Sequence, residues 1–263
     1  MCKNCTSTSF YRGKYMEIRS FGVGRRLREC ERLLSDALAG LSGRLILLPI
    51  PTTRDDKYIS GTDVSLESTL PLFSADTALV GYNIPRKIAL AAAESGASVF
   101  DAALDEEFLI ENARISANGA LGYLLTHISR DILDMKIGIV GYGRIGREML
   151  RLCLLFGGEV RVYTTRESVA LELGESGVRA EVISGETDFS ELDILINTAP
   201  ARQIDESRLP PSLEIIDLAS GVIFEPSARL TKLSSIPDAF YPETAGRLYA
   251  ECAQRYLEGW DAL

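Results

Sequence analysis

The sequence has little of what nucleic-acid-binding or membrane proteins need. Its 263 residues carry 28 Lys and Arg against 37 Asp and Glu, which gives a net charge of −9. Because phosphate binding requires a basic face, this balance disfavours a nucleic-acid partner. No apolar run approaches the roughly 20 residues that span a bilayer, and residues 1–6 open no signal-peptide core. We therefore expect a cytoplasmic protein with no membrane partner and with small-molecule ligands.

Histidine and paired cysteines are also scarce. The chain has one histidine, His127, and an odd number of scattered cysteines, which is not the pattern of a disulfide framework. Cys2 and Cys5 have the spacing of half a zinc site, but no second pair follows at ligand spacing. The sequence therefore predicts free thiols and no metal site.

The strongest local signal is a glycine-rich turn between a strand and a helix. Residues 136–140 form a short apolar run, the segment GYGRIG follows, and residues 147–156 have a helical pattern. In such a turn the first glycine permits the tight bend, the second lets backbone N–H groups approach a pyrophosphate, and the third lets helix and strand pack closely. We predict a dinucleotide site at Gly141, Tyr142, Gly143, Arg144, Ile145 and Gly146.

The end of the next predicted strand indicates which dinucleotide binds. An Asp or Glu at this position binds the ribose 2′-hydroxyl of NAD, whereas this chain has Thr164, Thr165 and Arg166. A guanidinium and two hydroxyls are able to bind a 2′-phosphate. We therefore predict NADP(H), with NAD(H) as the alternative if Arg166 is only a solvated turn residue.

Two later segments, residues 192–196 and 213–218, are typical of buried parallel strands. The loops at the carboxyl ends of such strands face the ligand crevice. The predicted cofactor contacts there, together with the start of the last helix, are Asn197, Thr198, Ala199, Pro200, Ala219, Ser220 and Thr244.

The first half of the chain resembles the second half when the two are aligned at an offset of 119 residues, so that Gly22 matches Gly141. Leu27 stands in place of the third glycine, and Arg19 and Ser20 interrupt the apolar run before the turn. The interval from Gly22 to Leu48 is 26 residues, whereas that from Gly141 to Ile196 is 55. We expect a degenerate Rossmann-like domain that lacks about one βα unit and holds no dinucleotide.

These patterns together predict an α/β fold with two Rossmann-like parallel-sheet domains, the first shortened, linked by long helices near residues 120–133 and 243–260. We expect residues 1–115, with the C-terminal helix 246–263, to form a substrate or partner domain. Residues 116–245 are expected to form the NADP-binding domain, and the two domains to meet across a cleft.

Candidate catalytic residues are few. The segment PIPTTR ends in Thr52, Thr53 and Arg54, which we predict to bind a carboxylated substrate together with Ser220. Arg54 and His127 are the candidates for catalysis, since a neutral imidazole can shuttle a proton near pH 7. The alternative for His127 is a structural role in the linking helix. The His-Glu pair of ordinary 2-hydroxy acid dehydrogenases does not follow the last strands, which disfavours lactate-type chemistry.

Several segments resemble the family of the dipicolinate synthase A subunit, a relative of the D-isomer-specific 2-hydroxy acid dehydrogenases. They are LPIPTT (48–53), NGALGYLLTH (118–127), IVGYGRIG (139–146), DILINTAP (193–200), IDLAS (216–220) and PETAG (242–246). The resemblance implies an NADP-dependent oxidoreductase of sporulation that oxidises a dihydrodipicolinate-type cyclic dicarboxylate and works with a flavoprotein-like B subunit. It also implies that the C-terminal helix returns to the first domain.

This chain departs from the family pattern in its shorter first domain and at Asn118, where the family has an acidic residue. Two other functions therefore stay open. One is another NAD(P)-dependent 2-hydroxy acid dehydrogenase-like enzyme, and the other is a non-catalytic nucleotide-binding or partner protein. A homo-oligomer is compatible with each of them.

Overall fold

The computed structural model describes residues 16–201, 204–227 and 229–260, so that Cys2 and Cys5 lie outside the described residues. The strands of the described part are β1 (Met16–Ser20), β2 (Gly43–Leu47), β3 (Thr77–Gly81), β4 (Ser98–Asp101), β5 (Lys136–Val140), β6 (Glu159–Thr164), β7 (Arg179–Val182), β8 (Ile194–Asn197), β9 (Glu214–Asp217) and β10 (Leu230–Lys232). Its α-helices are α1 (Arg25–Ala37), α2 (Arg86–Glu94), α3 (Glu106–His127), α4 (Arg144–Leu155), α5 (Glu167–Glu175), α6 (Ile236–Phe240) and α7 (Pro242–Leu257).

Contacts divide the chain into two compact units. The second unit is Ala113–Phe240, and the first comprises the described residues up to Asn112 and from Tyr241 onward. Each unit contains one all-parallel sheet, of four strands in the first and six in the second. The predicted α/β class, with two parallel sheets of unequal size, is confirmed.

The sheet of the second unit has the strand order β10-β9-β8-β5-β6-β7. From β5 the chain moves outward to β6 and β7, then returns past β5 to β8 and continues to β9 and β10. The order therefore reverses between β5 and β8, and the loops that follow these strands diverge. In open α/β sheets such a switch point, at the carboxyl ends of the strands, is where ligands bind.

The β5-α4 segment forms because its apolar residues follow first a strand period and then a helix period. Ile137 and Ile139 of β5 are fully buried against Met149 and Cys153 of α4. The helix ends at Leu155 with Phe156 as its C-cap, and Gly157 follows with a φ of +78°, the left-handed conformation that glycine adopts readily after a helix. This packing fixes the glycine turn at the carboxyl edge of the sheet.

The sheet of the first unit has the strand order β1-β2-β3-β4. Arg19 and Ser20 lie within β1, paired with Ile46 and Leu47, so the expected interruption of this strand is wrong. Since β1 is an edge strand, its polar side chains reach partners outside the core. Ser20 Oγ, for example, donates a hydrogen bond of 2.6 Å to Glu31 Oε2.

Aligning Gly22 with Gly141 makes β1, β2, β3 and β4 the counterparts of β5, β8, β9 and β10. The order of the first sheet then equals one half of the second, and only β6 and β7 have no counterpart among the described residues. The predicted shortening is confirmed. It amounts to a strand-helix-strand segment, which is one strand more than the expected βα unit.

The helices of the first unit pack on opposite faces of its sheet. Leu34 of α1 lies in one core with Leu45, whereas Ile88 of α2 lies in another core with Ile46. Because the chain steps in the same direction from β1 through to β4, the crossovers through α1 and α2 have opposite hands. Right-handed crossovers prevail overwhelmingly in parallel sheets. The β2–β3 connection and the β3–β4 connection through α2 both pack on the face of Ile46, whereas only the β1–β2 connection through α1 packs on the face of Leu45. We therefore assign the left hand to the α1 crossover.

The long helices differ in extent from their predicted bounds. Helix α3 begins at Glu106, well before residue 120. The sequence prediction missed its earlier part because Asn112, Asn118 and Gly119 weaken the apolar period before residue 120. Gly119 is needed there for packing, since a Cβ would lie 2.4 Å from Ile236 Cγ2. The helix ends at His127, and the predicted continuation to residue 133 contains a 3-10 turn.

Helix α7 packs against α1 inside the first unit. Gly246 permits the contact, because a Cβ there would lie 2.6 Å from Glu29 Cβ and 2.7 Å from the Arg26 carbonyl oxygen. Tyr249 is buried and its hydroxyl donates a hydrogen bond of 2.9 Å to the Leu48 carbonyl oxygen. The PETAG segment therefore supplies a close helix contact as well as the first turn of α7.

The described cysteines, Cys30, Cys153 and Cys252, are buried free thiols, as predicted. Burial raises the pKa of Cys153 to about 12 and raises that of Cys30 and Cys252 still further. A thiol held in its neutral form is a poor nucleophile. These three side chains therefore serve packing.

Candidate functional site

Two glycines of the GYGRIG turn are required by the protein itself. Gly141 has a φ of +91° and its N–H donates a hydrogen bond of 2.8 Å to the Tyr163 carbonyl oxygen. A Cβ on Gly146 would lie 2.3 Å from the Gly141 carbonyl oxygen, which is backbone and has no rotamer to change. The turn between β5 and α4 can therefore close only with glycine at both positions.

Gly143 is different, because nothing in the described chain requires it to be glycine. Its φ of −86° and ψ of −164° are open to any residue, and apart from its chain neighbours no described residue has an atom within 4 Å of a Cβ placed there. Gly143 is the N-cap of α4, and no described side chain caps that helix. The space above it therefore fits a group that approaches the backbone closely and accepts hydrogen bonds, as a pyrophosphate does.

The residues at the end of β6 lie beside this turn. Thr164 is buried and its Oγ1 accepts a hydrogen bond of 3.2 Å from the Arg166 N–H, whereas Thr165 and Arg166 are exposed. The Arg166 Nη2 donates a hydrogen bond of 3.1 Å to the Tyr142 carbonyl oxygen. The structure thus brings the Arg166 guanidinium to the glycine turn, 24 residues away in sequence.

The loop after β8 is tied to the glycine turn. Thr198 Oγ1 donates a hydrogen bond of 2.9 Å to the Val140 carbonyl oxygen, at the end of β5. Asn197 is buried, and its side chain accepts from the Ala199 N–H and donates to the Ala199 carbonyl oxygen, each over 3.2 Å. Pro200 is exposed at the rim. The small side chains of this loop leave space at the switch point.

Asp217 and Lys232 are functional candidates that sequence reasoning missed. Asp217 ends β9 and is buried, and its Oδ2 accepts a hydrogen bond of 2.6 Å from Nζ of Lys232, an exposed residue at the end of β10. Its Oδ1 accepts 2.8 Å from Asn197 Nδ2 and 3.1 Å from the Ala219 N–H. The sequence signal that could have identified them is a polar residue at the end of each of three successive strands, Asn197 in β8, Asp217 in β9 and Lys232 in β10.

The structure does not bring His127 to this edge of the sheet. His127 is exposed at the end of α3, where Nδ1 contacts Thr126 Oγ1 at 2.8 Å and the ring stacks on Tyr123 at 4.1 Å. One turn later, Arg130 donates a hydrogen bond of 2.6 Å to Asp193, just before β8 begins. His127 therefore lies toward the amino-terminal edge of the sheet, opposite the glycine turn.

The predicted substrate residues of the first unit differ in accessibility. Thr52 is fully buried, and its Oγ1 accepts a hydrogen bond of 3.0 Å from the Tyr82 N–H, so the hydroxyl holds the loop in place. Thr53 is half-buried and contacts Asp55 Oδ1 at 3.2 Å, while Arg54 is exposed. Thr244 is exposed in the first turn of α7, and Ser220, in the second unit, is exposed after β9.

Two kinds of site are not found in the described part of the chain. Its histidine, cysteine and acidic side chains form no group of three that is arranged to hold a metal ion. None of its helices has the length and apolar character that a bilayer crossing requires.

The fold and the turn together define an α/β protein with a dinucleotide-binding type of unit. Residues 117–213 match the family model of the NAD binding domain of D-isomer specific 2-hydroxyacid dehydrogenases. A glyoxylate reductase from Thermococcus onnurineus is 24% identical over 135 residues, which cover 49% of this chain and 40% of that enzyme. This chain therefore matches less than half of the length of that relative.

Two solved structures share the fold over nearly the whole chain. The A subunit of dipicolinate synthase from Bacillus halodurans has a TM-score of 0.77 and 19% identity, covering 93% of this chain and 98% of that protein. The dipicolinate synthase A chain from Bacillus subtilis has a TM-score of 0.75 and 19% identity, with coverages of 94% and 96%. The resemblance in fold that the motifs predicted is confirmed, and the matched domain indicates a nicotinamide cofactor.

Proposed function

We propose that the chain is an NADP(H)-dependent oxidoreductase that acts on a dihydrodipicolinate-type cyclic dicarboxylate. The observation that carries the cofactor choice is the Arg166 guanidinium, held on the Tyr142 carbonyl oxygen at 3.1 Å beside the glycine turn. A cation in this place favours a 2′-phosphate over a 2′-hydroxyl. The choice of substrate is supported by the motifs shared with the family of the dipicolinate synthase A subunit.

The bound dinucleotide would supply the hydride acceptor. The chain's own contribution begins at Gly143, where the absence of a side chain leaves room for the pyrophosphate next to the first turn of α4. The N-terminus of that helix carries partial positive charge, which stabilises an anion. Thr165 and Arg166 would bind the 2′-phosphate, and the loops at residues 198–200 and 219–221 would line the nicotinamide half.

The substrate is a dianion and the chain has a net charge of −9, so binding requires local donors. The donors that we propose for this role are Thr53, Arg54 and the first turn of α7 at Thr244 in the first unit, and Ser220 in the second unit. Arg54 would act through its charge and hydrogen bonds, because an arginine side chain stays protonated in proteins and is no base. Thr52 would act indirectly, by fixing the loop that carries Thr53 and Arg54. The B subunit implied by the family is the proposed protein partner.

Replacing Arg166 by Asp is expected to weaken NADPH binding by about 1–3 kcal/mol, the scale of a lost hydrogen bond to a charged group. NADH binding should be unchanged or tighter, since Asp is able to accept from a 2′-hydroxyl. Titration of both cofactors by nicotinamide fluorescence measures the change, and the wild type should prefer NADPH several-fold.

Arg151→Asp is the matched control for that experiment, because it makes the same charge change on the exposed face of α4, where Arg151 pairs with Glu148. It should leave the preference for NADPH intact. A wild type that binds NADH as tightly as NADPH would overturn the NADP assignment. An equal loss of affinity for NADPH and NADH in Arg166→Asp would overturn it as well.

The activity is tested with the freshly condensed product of pyruvate and aspartate semialdehyde, supplied with NADP⁺. Formation of dipicolinate is followed by its ultraviolet absorption, with and without a candidate B subunit. Arg54→Ala should lower kcat/KM at least about ten-fold, the effect of losing a charged hydrogen bond. His127→Ala should retain activity, because His127 lies away from the carboxyl edge of the sheet.

The outcomes of that assay separate the alternatives. Full activity in Arg54→Ala would remove Arg54 from the site, and a large loss in His127→Ala would restore the catalytic role first predicted for it. If no pairing of subunits turns over while NADPH still binds, the chain is a nucleotide-binding partner protein and not the proposed enzyme.

A further inference from the structure

The last residues of β8, β9 and β10 form a polar row across three neighbouring strands. Asn197 is in register with Asp217, and Asp217 is in register with Lys232. In a parallel sheet, residues in register project to the same face, so the three side chains stand side by side. The row lies at the carboxyl edge, on the β8 side of the switch point.

Hydrogen bonds from this row end on the backbone of the two loops that follow it. Asp217 Oδ1 accepts from the Ala219 N–H at 3.1 Å, and Lys232 Nζ donates to the Ala219 carbonyl oxygen as well as to Asp217. Asn197, which donates 2.8 Å to the same carboxylate, binds both the N–H and the carbonyl oxygen of Ala199. One buried carboxylate thus links both loops.

We infer that Asp217 and Lys232 are positioning residues that hold the loops around Ala199 and Ala219 in place for the nicotinamide half of the dinucleotide. The inference rests on the proposed function. The inference goes beyond the proposed function because it assigns roles to a carboxylate and an ammonium group that need not touch the cofactor. Both residues act through the backbone of the loops and not through the reacting atoms.

The position of the polar row in the sheet predicts which half of the dinucleotide it supports. The adenosine half of a dinucleotide lies over the first and second strands of its unit, here β5 and β6, and the other half lies across the switch point. Arg166, at the end of β6, serves the adenosine side. The row at β8, β9 and β10 therefore serves the nicotinamide side alone.

The charge of Lys232 is required because Asp217 is 1% exposed. A buried carboxylate needs a countercharge and hydrogen bonds to offset its lost hydration. Lys232 supplies the countercharge and also binds Ala219, so its replacement by Met removes both. The carboxylate then competes for other donors, and the Ala219 loop loses its fixed place.

The test compares binding of NADPH with binding of 2′,5′-ADP, which contains the adenosine half only. In Lys232→Met the Kd for NADPH should rise about ten-fold or more, while the Kd for 2′,5′-ADP stays within about two-fold of the wild type. Lys232→Arg keeps the charge and should restore NADPH binding to within about three-fold. If the wild type prefers NADH, the same comparison is made with NADH and ADP.

Arg130→Met is the matched control, because Arg130 also pairs with an aspartate of the same unit, Asp193, but before β8 begins. It should change neither ligand's Kd. If Lys232→Met does not fold, the double variant Asp217→Asn with Lys232→Met takes its place, since it leaves no uncompensated buried charge. Its thermal unfolding is recorded beside the binding data, and the same split between the two ligands is expected.

If the Lys232 variants lose affinity for NADPH and for 2′,5′-ADP equally, the inference is overturned and the row has a purely structural role. Unchanged binding of both ligands would overturn it too. A wild type that binds neither NADPH nor NADH would instead overturn the proposed function itself, and the inference with it.

Discussion

Gly143→Ala is expected to lower the affinity for the dinucleotide about 100-fold, or ~3 kcal/mol, while the protein stays folded. A methyl group at this position would enter the space where the pyrophosphate approaches the backbone. The same methyl group meets no described atom within 4 Å, and the φ of −86° suits alanine. The free energy of unfolding should therefore fall by less than about 1 kcal/mol, the cost of alanine against glycine as an N-cap.

Isothermal titration with NADPH and urea unfolding without ligand measure the two effects separately. Gly143→Ser refines the experiment, because serine is a better N-cap than alanine. It should recover the stability but not the affinity. Wild-type affinity in Gly143→Ala would show that no ligand group lies above this residue.

Gly146→Ala is expected to lower the free energy of unfolding by about 3 kcal/mol, the upper range for overpacking. The new Cβ would lie 2.3 Å from the Gly141 carbonyl oxygen and 3.0 Å from Thr198 Oγ1. Because the carbonyl belongs to the turn itself, α4 must move away from β5, and dinucleotide binding is lost with stability. This coupled loss distinguishes Gly146 from Gly143.

Urea unfolding of the unliganded protein measures the effect of Gly146→Ala. Gly174→Ala in α5 is the matched control, since it adds the same methyl group to a helical glycine with no described atom within 4 Å. It should stabilise the protein by up to about 1 kcal/mol. Equal stabilities of the two variants would contradict the close contact at the glycine turn.

The sequence was most informative where local chemistry and fold agree. The GYGRIG turn has a strand period before it and a helix period after it, so its structure followed from the pattern alone. The match between Gly22 and Gly141 also gave the relation between the two sheets. What remained hidden there was that Arg19 and Ser20 belong to a strand, because polar residues interrupt an apolar run in the same way that a loop does.

The parts of the site that sequence could not supply depend on register between distant strands. Asp217 and Lys232 are 15 residues apart, and nothing local indicates that they end neighbouring strands at the same level. His127 shows the converse difficulty. Being the single histidine of the chain made it a candidate, but only the course of α3 and the bonds of Arg130 reveal which edge of the sheet it is near.

The left-handed crossover through α1 bears on the ancestry of the first unit. Helix α1 contacts β1 on the face where α4 contacts β5, since Met16 and Ile18 match Met135 and Ile137 in their cores. In the second unit the chain leaves that face for β6, whereas in the first it passes directly to β2, the counterpart of β8. Excision of one internal strand-helix-strand piece from a doubly wound ancestor would leave this arrangement, with every surviving element in its old place. On this account the left hand of the α1 crossover follows from the missing segment, and the short link between Leu38 and Gly43 stands where that segment would have been.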